Sequence, residues 1–217
     1  MENKIGHLIV PDGTENLIEL QSCGKQIVPN LKEHYAERLE REVGFMLPYL
    51  PGRCDSILDV GCGLGGASVL LRNFYRNTGR GDPRLYLLDG DQIDALQYGV
   101  VKGSCFYSLM NETSRLMLAN GVPEDRFELC LAPDWLGEEH GIKFDLVISL
   151  ASWCFHYGPE VYLEQVRRVS HDRTQVVVDI RYGLGDIIYM MKKAFGDAHS
   201  IPGIGKSYRL VFTGRKP

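Results

Sequence analysis

The stretch from Ser56 to Ser68 places a glycine-rich turn directly after a short apolar segment. Ile57 and Leu58 are typical of a buried strand, and the apolar pattern that resumes at Val69 is typical of a helix. The residues between them include glycines at positions 61, 63, 65 and 66. Glycine adopts positive φ without steric cost and lets the backbone approach a ligand closely. The order of strand, tight turn and helix predicts an α/β fold with a ligand site at the carboxyl end of this first strand.

An acid beside the glycines indicates which ligand the turn would take. Gly61, Gly63 and Gly66 satisfy the dinucleotide fingerprint literally, but glycine spacing alone is a weak signal. Asp59 precedes the first glycine by two residues, where its carboxylate would face the pyrophosphate of NAD or FAD. Like charges a few Å apart repel by roughly 1 to 4 kcal/mol at water-like to surface-like dielectric. S-adenosylmethionine carries a sulfonium and an ammonium and no phosphate, so Asp59 favours that cofactor.

The sequence Asp-Val-Gly-Cys-Gly-Leu-Gly-Gly, from Asp59 to Gly66, resembles motif I of the class I S-adenosylmethionine-dependent methyltransferases. The resemblance extends over residues 55–213. It implies an α/β, Rossmann-like, doubly wound fold: a mostly parallel seven-stranded sheet with a terminal antiparallel strand, in three α/β/α layers. It also implies S-adenosyl-L-methionine as cofactor, S-adenosyl-L-homocysteine as product, and cofactor contacts from Asp59, Gly61, Cys62 and Gly63.

Residues after the second and third predicted strands complete the expected cofactor site. Asp89 lies 23 residues beyond Gly66, which is where an acid that accepts both ribose hydroxyls belongs. Gly90 continues that turn. After the third strand, the resemblance assigns Asp134 to the adenine amino group and Trp135 to the face of the ring. An alternative role for Asp134 is to cap a short helix.

The segment from residue 144 to 157 is predicted to border the transferred methyl. Phe144 to Ser149 reads as a fourth strand that matches the family's fourth motif, and Ser149 and Leu150 are assigned to cofactor binding. The loop that follows, Ala-Ser-Trp-Cys-Phe-His-Tyr, lacks the (Asp/Asn/Ser)-Pro-Pro-(Tyr/Phe) of enzymes that methylate nucleic-acid amino groups. It also lacks the Pro-Cys of cytosine C5 enzymes. These absences count against a nucleic-acid acceptor.

Side chains in this loop and in an earlier helix are the candidates for catalysis and acceptor binding. His156 is the predicted general base, since its ordinary pKa is about 6.5 and a hydroxyl acceptor must lose a proton. Its alternative role is that of a hydrogen-bonded structural residue. Trp153 and Tyr157 are predicted to contact the acceptor or to pack within the loop. Tyr35 and Arg38, in the helix predicted to follow Asn30, are expected to face the same site.

Residues 1–50 are predicted to be an N-terminal arm and helix that cover the cofactor site, and residues 51–217 to be the S-adenosylmethionine-binding domain. Asn30 precedes the helix, and Glu33 stands three residues later, as a capping box requires. Pro48 and Pro51 end the helical pattern. The first 30 residues match no motif, and acceptor choice commonly resides in such a segment.

Composition narrows the range of partners and compartments. A net charge of −4 counts against a protein that grips long nucleic acid through its phosphates. The chain shows no signal-peptide core and no membrane-length apolar stretch, so we expect a cytoplasmic protein. The six cysteines form no zinc-type spacing, and Asp179-Ile180 departs from the Asp-Asn pair of metal-dependent catechol-type enzymes, so no metal is expected.

The sequence therefore predicts a methyltransferase for a small polar acceptor, such as a hydroxyl of a sugar or secondary metabolite. Methylation of tRNA or another nucleic acid, and cofactor binding without catalysis, remain as alternatives. A homodimer is left open.

Overall fold

A computed structural model describes residues 4–21, 29–95, 106–132, 135, 141–203, 205 and 207–213 of the chain. The strands are β1 (Ser56–Val60), β2 (Arg84–Asp89), β3 (Gln92–Ile93), β4 (Tyr107–Ser108), β5 (Phe127–Leu131), β6 (Phe144–Ser149), β7 (Ser170–Arg181), β8 (Asp197–Ile201) and β9 (Ser207–Thr213). The α-helices are α1 (Glu15–Gln21), α2 (Leu31–Met46), α3 (Gly66–Asn77), α4 (Met110–Ala119), α5 (Leu163–Arg168) and α6 (Gly185–Phe195). Short 3₁₀ turns cover Leu47–Tyr49, Glu124–Arg126 and Pro159–Val161. Among these described residues, no helix has the length and apolar character that crossing a bilayer requires.

Seven strands form one sheet in the order β5-β2-β1-β6-β7-β9-β8. The pairs β1–β2, β1–β6, β2–β5 and β6–β7 are parallel. β9 lies between β7 and β8 and runs antiparallel to both. The predicted mostly parallel seven-stranded sheet with a terminal antiparallel strand is confirmed. The strand order reverses between β1 and β6, and α/β sheets form their ligand crevice at the carboxyl ends of the strands at such a switch point.

Helices cover both faces of the sheet, and each face has its own hydrophobic cluster. Ile57 of β1 belongs to a cluster that includes residues of α1, α2, α3 and α4. Leu58, the next residue along β1, belongs to a cluster that includes residues of α5 and α6. Successive side chains of a strand point to opposite faces. The alternation at Ile57 and Leu58 therefore places helices on both sides of β1 and confirms the predicted three layers.

Helix α2 begins without the predicted capping box. Asn30 has φ 59° and ψ 49°, which is the left-handed region, and its side chain makes no capping hydrogen bond. A residue whose side chain caps a helix ordinarily has extended backbone angles. The predicted pairing of Asn30 with Glu33 is therefore wrong, although α2 itself lies between Asn30 and Pro48, where a helix was predicted.

The N-terminal arm is held against α4. The Ile9 N–H donates to Asn120 Oδ1 at 2.8 Å, and Asn120 Nδ2 donates to the Ile9 carbonyl at 2.7 Å. Arg115 Nη2 donates to the Asp12 carbonyl at 3.0 Å. Leu17 of α1 is buried in the cluster that also contains residues of β1 and β2. The arm thus shares a core with the sheet, while the division of the chain at residue 50 stays a prediction.

Candidate functional site

A cavity of about 150 Å³ lies at the carboxyl ends of β1, β2 and β6, at the switch point of the sheet. Ten of the residues predicted from the sequence line it: Tyr35, Arg38, Asp59, Gly61, Cys62, Gly63, Asp89, Leu150, His156 and Tyr157. The sequence analysis assigned no site role to the other lining residues, although Gly66 lies in the predicted glycine turn and Ala151 and Ser152 lie in the predicted loop. These residues are Gln21, Leu39, Glu42, Gly66, Ala67, Tyr107, Ala151 and Ser152. The cavity therefore brings together the glycine turn, α2 and the loop after β6.

The glycine turn passes so close to its neighbours that side chains would not fit. Gly61 and Gly63 have φ values of 72° and 56°, which confirms the predicted positive φ. A Cβ at Gly61 would lie 1.8 Å from Ser152 Oγ, and one at Gly63 would lie 2.9 Å from Gln21 Oε1. Both glycines line the cavity, so side chains at these positions would fill the cradle in which a ligand would lie.

Asp89 fastens the glycine turn to the end of β2. Its Oδ2 accepts the Gly63 N–H at 2.7 Å, and its Oδ1 accepts the Gly90 N–H at 2.8 Å. Burial raises the pKa of this carboxyl to about 6, although these two hydrogen bonds oppose the rise. Each carboxylate oxygen can accept a further hydrogen bond. Asp89 is therefore able to hold the turn and to accept ligand hydroxyls at the same time.

Asp59 places a second buried acid in the same cavity. Only 3% of its surface is exposed, and its Oδ2 accepts the Ser68 hydroxyl at 2.7 Å. Burial raises its pKa to about 7, against the effect of the Ser68 hydrogen bond, and the nearby charge of Asp89 adds to the rise. A ligand cation beside these acids would favour their ionised forms, whereas a pyrophosphate would oppose them.

Cys62 lines the cavity as a neutral thiol and not as a nucleophile. Burial raises the pKa of its thiol well above the ordinary value, and the charges of Asp89 and Asp59 raise it further. Reactive cysteines have lowered pKa values in electropositive surroundings. Cys62 lies between two acids and is therefore expected to stay protonated.

Helix α2 closes one side of the cavity with a single face. Tyr35, Arg38, Leu39 and Glu42 line it, and residues three and four positions apart lie on the same side of a helix. The Arg38 guanidinium lies 5.7 Å from the centre of the Tyr35 ring. Burial raises the pKa of Tyr35 above its usual range, so the phenol remains a neutral hydrogen-bonding group. Sequence analysis named Tyr35 and Arg38 but missed Glu42, although the same spacing could have identified it.

The 151–157 loop, which follows β6, closes the other side. Ser152 Oγ and Tyr157 Oη are 3.0 Å apart in a hydrogen bond, and both residues line the cavity with His156. Ala151 has a φ of 54°, an uncommon conformation for a residue with a side chain. The loop thus presents two hydroxyls and an imidazole to the cavity from a strained turn.

The side chains of Trp153 and Ser149 pack behind this loop, and their predicted contacts with acceptor and cofactor stay predictions. Trp153 has no exposed surface, and its Nε1 donates to the Pro159 carbonyl at 3.1 Å. Ser149 Oγ donates to the Val60 carbonyl at 2.7 Å and accepts the Trp153 N–H at 2.9 Å. Neither residue lines the cavity.

Gly90 and Trp135, two further predicted cofactor contacts, do not line the cavity. A Cβ at Gly90 would lie 2.2 Å from Phe106 Cγ, so a phenyl ring covers this glycine. Trp135 is buried in the hydrophobic cluster on the α5 and α6 face. Asp134 lies outside the described residues, so its adenine role stays a prediction. Within the residues that the structure describes, no group of three or more His, Cys, Asp or Glu side chains is arranged to hold a metal ion.

Comparison with known proteins finds similar proteins by structure only. No protein-family model and no curated protein matches the chain. A Methanococcus maripaludis protein assigned as an S-adenosyl-L-methionine-dependent methyltransferase has a TM-score of 0.54 and 11% identity, over 94% of this chain and 93% of that chain. A Geobacter sulfurreducens methyltransferase has a TM-score of 0.53 and 17% identity, over 95% and 92%. The precorrin-6y C5,15-methyltransferase of Geobacter metallireducens has a TM-score of 0.53 and 10% identity, over 88% and 93%.

These likenesses establish a shared fold. The chain has the Rossmann-like fold of these methyltransferases, and the fold implied by the resemblance of the glycine turn to motif I is confirmed.

Proposed function

We propose that the chain is an S-adenosylmethionine-dependent methyltransferase that acts on a small polar acceptor. The observation that carries this proposal is the cavity at the switch point, where positive-φ glycines lie beside two buried acids, Asp59 and Asp89. Such a site suits a nucleoside that carries positive charge and no phosphate. The methyltransferases that share the fold support the reaction class. The acceptor is inferred from the residues of this chain.

Different residues of the cavity would contact different parts of the cofactor. Asp89 would accept hydroxyls of the ribose, and the glycine turn would lie against the nucleoside. Asp59 would lie near the cationic end of the cofactor, where an ionised carboxylate is favourable. When bound, the cofactor would supply an activated methyl group on a sulfonium.

The acceptor side of the cavity suits a small hydroxyl compound. Tyr35 and Arg38 on α2 face the 151–157 loop across the cavity, so the described residues enclose a limited volume. Ser152, Tyr157 and His156 offer hydrogen-bonding groups to a polar acceptor. In-line methyl transfer gains most from alignment and exclusion of water, which an enclosed cavity provides. His156 would take the proton of a hydroxyl acceptor as it reacts.

Calorimetry with S-adenosylhomocysteine tests the function directly. We expect binding with a dissociation constant on the order of micromolar, as for an ordinary small-molecule site, and no measurable binding of NADH. The physical reason is that Asp59 and Asp89 would face the NADH pyrophosphate. Tight NADH binding without any response to S-adenosylhomocysteine would overturn the proposal.

His156→Ala tests the proposed base. In a screen of hydroxyl-bearing acceptors, we expect turnover to fall by about 10²- to 10⁴-fold, the usual contribution of a general base, while S-adenosylhomocysteine affinity is retained. His199→Ala, at an exposed position on β8, is the matched control and should leave turnover unchanged. Unchanged turnover in His156→Ala would remove His156 from the mechanism.

A further inference from the structure

Arg209 on β9 is a fully buried cation with two carboxylate partners. Its Nε and Nη2 donate to Asp179 Oδ1 and Oδ2 at 2.8 and 2.7 Å, and Nη2 also donates to Glu42 Oε2 at 2.8 Å. Exposed fractions are 0% for Arg209, 1% for Asp179 and 8% for Glu42. Burial by itself would lower the pKa of Arg209, but the hydrogen bonds and charges of the two acids raise it above its usual range. We call these three residues the Arg209 cluster.

One end of the Arg209 cluster reaches the 151–157 loop. Asp179 Oδ2 accepts the Ala151 N–H at 3.1 Å. Ala151 lines the cavity and has a φ of 54°. Alanine leaves the left-handed region readily unless its surroundings hold it there. The hydrogen bond to Asp179 therefore supports the strained turn from which Ser152, His156 and Tyr157 extend.

The other end of the cluster reaches α2. Glu42 lines the cavity, and its Oε1 lies 3.9 Å from Arg38 Nε. Arg209 donates to Glu42 and Asp179 through the same atom, Nη2. A single buried guanidinium thus joins α2 to the 151–157 loop, the latter through Asp179. Arg209 belongs to neither element and does not line the cavity.

We propose that Asp179 and Arg209 are positioning residues that set the spacing between α2 and the 151–157 loop and hold Ala151 in its left-handed conformation. This inference rests on the proposed function, since the geometry that it protects is that of the cofactor and acceptor site. A purely stabilising ion pair would affect folding alone. A positioning pair also affects ligand binding, because it holds the Ala151 backbone in its left-handed conformation. A substitution at Ala151 that favours this conformation should therefore restore binding when the pair is broken.

The test combines Asp179→Asn with Ala151→Gly, because glycine adopts positive φ without strain. Asp179→Asn removes the negative charge and one of the two accepting oxygens. The amide can therefore no longer accept from the Ala151 N–H and from both Arg209 donors, Nε and Nη2, as the carboxylate does. We expect Asp179→Asn to weaken S-adenosylhomocysteine binding at least about tenfold. In the double variant, affinity should return to within about threefold of the Ala151→Gly single variant, while the lowered melting temperature persists because Arg209 remains mispaired. Where Asp179→Asn does not fold, Arg209→Lys replaces it in the same scheme.

Amide hydrogen exchange of residues 152–157 gives a second measurement that needs no cofactor. The N–H groups of Cys154, Phe155 and His156 donate to carbonyls within the loop. Their exchange should be faster in Asp179→Asn and slow again in the double variant. If the wild-type chain does not bind S-adenosylhomocysteine, the proposed function fails, and the exchange pattern alone then decides the positioning role.

Asp82→Asn is the matched control. Asp82 pairs with Arg72, which is 2% exposed, at the opposite end of the sheet. This variant should lower the melting temperature and leave S-adenosylhomocysteine affinity within about twofold of the wild type. Adding Ala151→Gly to it should not increase that affinity. The inference is overturned if the double variant binds S-adenosylhomocysteine no more tightly than Asp179→Asn does and the amides of its 152–157 segment still exchange fast.

Discussion

Replacing Asp89 with alanine should weaken S-adenosylhomocysteine binding about 10- to 100-fold. The change removes the proposed acceptor of the ribose hydroxyls and also the acceptor of the Gly63 N–H at 2.7 Å. Of its hydrogen bonds to β2, the glycine turn then keeps the backbone ones to the Leu88 carbonyl. Hydrogen bonds to charged groups contribute about 1.5 to 3 kcal/mol each, and each 1.4 kcal/mol corresponds to about tenfold in affinity. Titration calorimetry at about pH 8, where the carboxyl with its pKa of about 6 is ionised, measures the full effect.

Two comparisons separate this effect from a general loss of structure. Asp197→Ala, at the exposed start of β8, should bind as the wild type does. Wild-type affinity should fall as the pH is lowered through about 7 and about 6, because Asp59 and Asp89 become protonated there and no longer attract a ligand cation or accept two hydroxyls. Asp89→Ala should lose the step near pH 6. An affinity that is constant from about pH 8 to about pH 5 would contradict the assignment of both acids.

Arg209→Met should be the most destabilising single substitution considered for this chain. It leaves Asp179 and Glu42 buried without their shared cation, and removing one partner of a buried ion pair costs about 3 to 5 kcal/mol in the free energy of unfolding. For a chain of this length, each kcal/mol lowers the melting temperature by about 2 to 4 °C. Thermal unfolding followed by circular dichroism should therefore show a loss of about 6 to 20 °C.

The matched control for this substitution is Arg173→Met, because Arg173 lies at an exposed position of β7. Surface substitutions of this kind usually change the free energy of unfolding by less than about 0.5 kcal/mol. If Arg209→Met unfolds at the temperature of Arg173→Met, the Arg209 cluster does not contribute to stability as its burial indicates.

Local patterns predicted the fold and ten of the residues that line the cavity. The strand, glycine turn and helix around Gly61 form from contiguous residues, so periodicity and glycine placement were sufficient. Asp89 could be predicted because it ends a strand at a regular distance from that turn. The carboxyl ends of parallel strands meet at one edge of the sheet, so such residues converge without any knowledge of distant contacts.

Long-range pairings could not be predicted in the same way. Gln21 lies against Gly63, and its Nε2 donates to the Tyr107 carbonyl at 3.1 Å, yet no spacing in the sequence links α1 to the glycine turn. Arg209 reads as an ordinary polar residue of an alternating strand. Its burial follows from the insertion of β9 between β7 and β8, which a single sequence does not show. The capping role of Asn30 could not be predicted reliably either. Asparagine is a common capping residue, but the sequence does not show that its backbone is left-handed here.

The pairing of Arg209 with Glu42 spans 167 positions of the chain. Contacts between residues so far apart form late, because closing a long loop costs entropy before the contact is gained. A chain emerging from the ribosome would carry the glycine turn, α2 and the 151–157 loop before the guanidinium that joins α2 to that loop. The protein would thus acquire its affinity for ligand near the end of folding, when β9 pairs with β7 and β8.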